Sequence, residues 1–246
     1  QTPLAAVFFA MEVIVAGYME YDALLPALIA AYTASTTSHM LGLEKFAVNI
    51  TENWNISGSR DVLILIILGV VFGLTGSFTE SQEIFGEKIS NPFIRIATLA
   101  VPLAILLFAI HSGRYTGLGT NLISASFAGE TIYGYDWILK LLFTIFTLAI
   151  GFQGGEVTPL FSIGASLGII LGSLLGIPPV ICAALGYAAV FGSATNTLFA
   201  PILIGLEVFG SQNIIPLVLV CIIAYLVNGN RSIYGAQQKA LCRFEE

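Results

Sequence analysis

The sequence predicts an all-α, polytopic membrane protein whose helices are partly broken and re-entrant, and three observations predict it. Of the 246 residues, 57% are hydrophobic and only 10% charged, with a mean hydropathy of +0.90, far from the balance of soluble domains. Apolar segments recur at 4–18, 22–36, 61–78, 93–110, 118–128, 136–150, 159–177, 178–192, 196–210 and 213–228, too many for one signal peptide or anchor. None alternates with the period of two that a membrane barrel requires.

Several of these runs fall short of the roughly 20 residues that a full crossing needs, and Gly or Pro interrupts many of them. Simple up-and-down spanning is therefore not expected. The formal charge of −6 leaves no basic patch for nucleic acid. Cys182, Cys221 and Cys242 lack metal-ligand spacing, and the first two sit in apolar runs as small buried side chains. No Walker, HExxH or dinucleotide-binding pattern occurs. Neither a metal nor a cofactor is expected, and no enzyme activity.

The first apolar run has an echo late in the chain. TPLAAVFFAMEV at 2–13 matches TLFAPILIGLEV at 197–208 in its Thr, Ala, Glu and Val positions, and AAY at 30–32 is followed by a counterpart, IAY, at 223–225. Weak internal symmetry over a unit of about 190 residues is typical of transporters built from inverted repeats. The boundaries that follow place the last two helices of a first repeat at 1–36, a linker at 37–60, a second repeat at 61–228 and a terminal pore-facing and cytoplasmic helix at 229–246. The chain then reads as truncated at its start. Inversion puts Glu12 and Glu207, each near the end of its helix, on opposite membrane sides, so they are not expected to pair.

Basic residues are scattered, with Lys45 and Arg60 in one polar linker, Lys88 and Arg95 in another, and Arg231, Lys239 and Arg243 in the tail. Together they support a cytoplasmic C-terminus. The linker carries two formal glycosylation sequons, beginning at Asn49 and Asn55, which are not expected to be used.

At 151–168 the chain reads GFQGGEVTPLFSIGASLG. Gly151, Gly154 and Gly155 loosen the backbone before Glu156, and Pro159, tolerated in a first helical turn, marks a new helix. A helix start at membrane depth offers unpaired N–H groups and a partial positive charge, enough to hold an anion without a full cation. The amides of Glu156 and Val157 and the hydroxyl of Thr158 are the donors. An intramembrane carboxylate is costly, so proton exchange by Glu156 is the functional reading; a carboxylate that only caps the helix is the alternative.

Beyond the break, Gly164, Gly168, Gly172 and Gly176 recur every four residues and mark one helix face for close packing. GASLG matches a nucleophile-elbow pattern around Ser166, but no strand precedes it, and His39 and His111 lie beside polar linkers, where interfacial placement is expected. A hydrolase is not the reading.

In chain order, GRYTGLGTNLISASFAG at 113–129, GGEVTP at 154–159, NTLFAPILIGLEVF at 196–209 and SIYGA at 232–236 resemble the second half of the CLC family of anion channels and proton-coupled antiporters. The likeness runs over essentially the whole chain. GEVTP, in place of the Gly-x-Phe-x-Pro of most chloride-handling members, resembles the fluoride/proton antiporter branch, CLC-F. Val13 stands where chloride/proton antiporters often carry a proton-transfer glutamate, which points the same way.

The resemblance implies a CLC-type inverted-repeat bundle in the cell (inner) membrane that exports fluoride in exchange for protons; the alternative is a chloride channel or chloride/proton antiporter of the same fold. It implies that Glu156 and Thr158 serve fluoride and proton movement, that Val157 contributes its amide, and that Tyr234 is the central pore-facing tyrosine. It also implies a homodimer through the helices at 4–18, 22–36, 196–210 and 213–228. The family's first-repeat anion motif and gating glutamate would lie upstream of Gln1, so this stretch alone is not expected to transport.

Overall fold

A computed structural model describes residues 2–43, 45–80, 92–152 and 154–238. Among them are ten α-helices: α1 (Pro3–Glu12), α2 (Leu24–Met40), α3 (Ser59–Ser77), α4 (Pro92–Ala109), α5 (Thr120–Ala128), α6 (Asp136–Ile150), α7 (Val157–Leu175), α8 (Pro179–Thr195), α9 (Phe199–Phe209) and α10 (Ile214–Val227). No strand occurs among the described residues; the nearest thing to one is an isolated parallel bridge between Val15 and Gln238.

Two helical stretches have the length and composition to cross a bilayer, Ser59–Glu80 with a mean hydropathy of 2.4 and Val157–Leu175 with 1.8. Pro3–Glu12 and Phe199–Phe209 are apolar but have 10 and 11 residues, about 15 Å of helix, half of a hydrocarbon core. The expected apolar helices too short for a full crossing are therefore present. The first run ends as helix at Glu12, because the chain turns at 13–20 with Gly17 at φ +76°, a conformation that only glycine adopts without strain. The helix within the second run continues to Met40. Residues 229–238 form bends and turns rather than the helix expected at 229–246; residues 239–246 lie outside the described residues.

The core is organised around α8, in which every residue from Ile181 to Thr195 is buried. Hydrophobic on all sides, it has no solvent face to present. Glycines bring its neighbours against it. A Cβ at Gly164 would strike the backbone of Gly186, one at Gly168 the backbone of Cys182 and Ala183, and one at Gly172 that of Pro179. Those three glycines form the predicted packing face. Gly176 does not share it: at φ +68° it closes the C-terminus of α7, where left-handed glycine is the usual stop.

Several charges in this bundle sit at helix ends, where the macrodipole favours them. Arg60 Nη2 donates to Leu175 O of α7 at 3.1 Å, and Arg95 Nε to Ile150 O of α6 at 2.9 Å. Acids meet the opposite ends. Glu207, at the end of α9, accepts from Leu4 N and Ala5 N at the start of α1 (3.3 and 2.9 Å). Glu12, at the end of α1, accepts from Leu198, Phe199 and Ala200 N at the start of α9, with Phe199 N to Oε2 at 3.0 Å. The two helices thus run antiparallel, each capping the other. As expected, the two carboxylates do not pair with one another; what the sequence did not reveal is that each holds the other's helix start.

Candidate functional site

The break between α6 and α7 is built as the glycines suggest. Gly151 ends α6 at φ +106°, and its amide bonds back to Leu148 O at 2.9 Å. Glu156 is the N-cap of α7, Val157 its first residue, and Thr158 and Pro159 complete the first turn. Pro159 has no N–H to leave unsatisfied there. The side chain of Glu156 does not cap its own helix.

The start of α7 opens onto a cavity of about 520 Å³ lined by Gly154, Glu156, Val157, Ile233, Tyr234, Gly235 and Ala236. Glu156 and Tyr234, 78 positions apart in the chain, therefore share one space. Burial pushes the Tyr234 phenol up, and the nearby charge of Glu156 adds to the effect, so Tyr234 stays a neutral hydroxyl donor. Its ring meets Phe9 of α1 edge-on at 6.4 Å, and Phe9 lies 5.5 Å from Phe191 of α8.

Thr158 is half-buried and is not among the residues lining that cavity. Gly155 and Pro159 face a second cavity of about 370 Å³, shared by Gly154 and bounded by α4, α6 and the loop at 115–118. Hence the structure brings Gly154, Glu156, Val157 and Tyr234 together, while Gly155 and Pro159 turn toward the neighbouring space.

Lys140 borders that second cavity and was not singled out from the sequence. Its Nζ, buried, donates to Gly117 O at 2.7 Å and Tyr115 O at 3.1 Å. Below it, fully buried Asp136 accepts from Tyr115 OH at 2.6 Å, Tyr133 N at 2.9 Å and Arg114 Nη2 at 2.8 Å. The hydrogen bond to Asp136, with its charge, raises the Arg114 guanidinium further. A lone charge in an apolar helix was the available signal, since such groups must find partners.

Ser166, of the hydrolase-like pattern, is buried within α7 and donates to Ser162 O at 2.7 Å. Its hydroxyl is used inside the helix. Among the described residues no group of His, Cys, Asp and Glu is arranged to hold a metal ion.

Comparison with known proteins adds the following. A family profile described as voltage gated chloride channel matches residues 1–229. A "Chloride/fluoride channel protein" from Pseudomonas syringae pv. tomato is 37% identical over 249 aligned residues, covering 96% of this chain and 54% of that protein. The "Voltage-gated ClC-type chloride channel ClcB" of Salmonella typhimurium is 26% identical, with 92% and 57% covered. Among solved structures, a CLC-type fluoride/proton antiporter superposes with a TM-score of 0.93 at 50% identity, covering 97% of this chain and 62% of that one. A eukaryotic CLC transporter at 21% identity and a TM-score of 0.67 shares the fold. The chain thus spans between about two fifths and two thirds of the length of these proteins.

Proposed function

The chain belongs to the voltage gated chloride channel (CLC) family, a family of membrane-embedded proteins, and on that premise we propose that the complete protein exports fluoride across the cell (inner) membrane by fluoride/proton antiport. One observation carries the reading: an acid that can exchange a proton, Glu156, and a neutral phenol, Tyr234, face the same cavity at the start of α7. There the amides of α7 hold the dehydrated anion, Tyr234 donates to it, and Glu156 takes up and releases the proton. Thr158, one residue further into the turn, adds its hydroxyl. The 50% identity to a fluoride/proton antiporter supports fluoride as the substrate.

In this reading, α1 and α2 close the first inverted repeat and α3–α10 form the second, which puts α1 and α9 in equivalent places. Their reciprocal capping supports that assignment. The protein transports and does not hydrolyse, consistent with the helix-bound hydroxyl of Ser166. A homodimer forms through α1, α2, α9 and α10. No residue of α2 is buried, and Leu25 and Ile29 on α2 and Ile215 on α10 are more than 60% exposed, an apolar surface of the kind that a partner or lipid covers. The C-terminus is cytoplasmic.

Proteoliposomes carrying the complete protein test this. A fluoride gradient is expected to drive stoichiometric proton movement in the opposite direction, read with a fluoride electrode and an internal pH dye. Chloride flux without proton movement would contradict it.

A further inference from the structure

The segment that carries Tyr234 has no helix or sheet to fix it, yet its tyrosine must stand at one place over α7. Backbone groups outside regular structure need other partners, and here one side chain serves two backbone carbonyls and a neighbouring side-chain amide. Gln237 Nε2 donates to Val13 O at 2.9 Å and Thr195 O at 3.0 Å, and its Oε1 accepts from Asn196 Nδ2 at 3.2 Å. Val13 and Thr195 lie at the C-terminal ends of α1 and α8, where carbonyls lack intrahelical donors. One amide thus satisfies two helix ends and anchors the tail to both. Gln237 N also bonds to Tyr234 O at 2.9 Å, closing the turn that presents the tyrosine.

Backbone bonds tie the segment on either side of the tyrosine: Gln238 N donates to Ile14 O at 2.9 Å, Ala16 N to Gln238 O at 2.9 Å, and Ile233 N to Ala194 O at 2.9 Å. Of the side chains in the turn that follows Tyr234, from Gly235 to Gln238, that of Gln237 bonds to both α1 and α8.

We infer that Gln237 is a positioning residue for anion recognition: its carboxamide clamps the tail to the ends of α1 and α8 and so sets Tyr234 over the start of α7. This rests on the role given to Tyr234 above. The amide is specific for the task, because it offers two N–H donors to two carbonyls and an oxygen to Asn196. A carboxylate at 237 would face both carbonyls without a proton to give.

The test uses the complete protein with 3-fluorotyrosine at position 234 and Gln237→Ala and Gln237→Glu variants. In micelles without any transported anion, the fluorine resonance of position 234 is expected as one narrow line in the parent. It broadens or splits in Gln237→Ala. In Gln237→Glu it is broad at high pH and narrows toward the parent line as acidification returns a donor. An unchanged line in Gln237→Ala overturns the inference, whichever anion the protein carries.

Flux in proteoliposomes, measured with the anion the parent protein transports, gives the second arm. Gln237→Ala is expected to raise KM about tenfold with a smaller change in maximal rate. In a Tyr234→Phe background the same change adds little, since residues acting through one another are non-additive. Independent, multiplying effects of the two changes overturn the inference. Failure of fluoride selectivity alone would instead count against the proposed function and leave the fluorine line as predicted.

Discussion

The beginnings of α9 and α7 are made of similar backbone and put to opposite uses. At α9 the protein's own Glu12 occupies the exposed amides of Leu198, Phe199 and Ala200. At α7 the N-cap side chain, Glu156, does not cap its own helix, and the first turn opens onto a cavity beside Glu156 and Tyr234. Glu207 serves α1 in the same way, whereas Asp61 and Asp136, in the first turns of α3 and α6, accept from the upstream amides Ser57 N (2.9 Å) and Tyr133 N. At α1 and α9 the chain's own helix starts bind carboxylates. Where the start lines a cavity instead, as at α7, the proposed function gives the place to a mobile anion, which can also leave.

This contrast can be broken from either side. The largest effect is expected at α7: Glu156→Gln should lower coupled exchange by at least about a hundredfold, the scale of losing a proton-transferring group, with no loss of stability in micelles. A destabilised but active variant would assign Glu156 to helix capping instead. At α9 the outcome should invert. Glu12→Ala strips charge-assisted bonds from buried amides and should cost about 3 kcal/mol, read by denaturation in mixed micelles, while the surviving folded fraction keeps its anion affinity.

Glu207→Ala sharpens the comparison within the α1 and α9 pair. Glu207 is half-buried where Glu12 is 3% exposed, so the same kind of cap should be worth about 1 kcal/mol there. Equal losses at the two ends would show that burial does not set the difference. Asp61→Asn, on an exposed turn, should give the smallest change in the same assay, close to the scatter of replicate melts.

The apolar runs and the glycine break were legible because composition and punctuation are local properties. The break, its N-cap glutamate and the shared position of Tyr234 follow from stretches of a few residues together with the family likeness. Partnerships were not legible. The internal echo singled out Glu12 and Glu207 as equivalent, but that each reaches across about 190 residues to the other's helix start depends on antiparallel packing. Lys140, Asp136 and Gln237 were passed over for the same reason: a polar side chain in an apolar chain announces that it needs partners without naming them. The helix ends also shifted, because Gly17 stops the first run early and Gly176 serves as a stop rather than as a packing residue.

Amide resonances placed at one helix start and then at the other test the central claim most directly. With nitrogen-15 at Val157 in one sample of the complete protein and at Phe199 in another, fluoride titration is expected to move the Val157 amide saturably downfield and to leave Phe199, already held by Glu12, where it was. A Val157 resonance that stays fixed while fluoride flux persists, or a Phe199 resonance that moves in its place, would contradict the account.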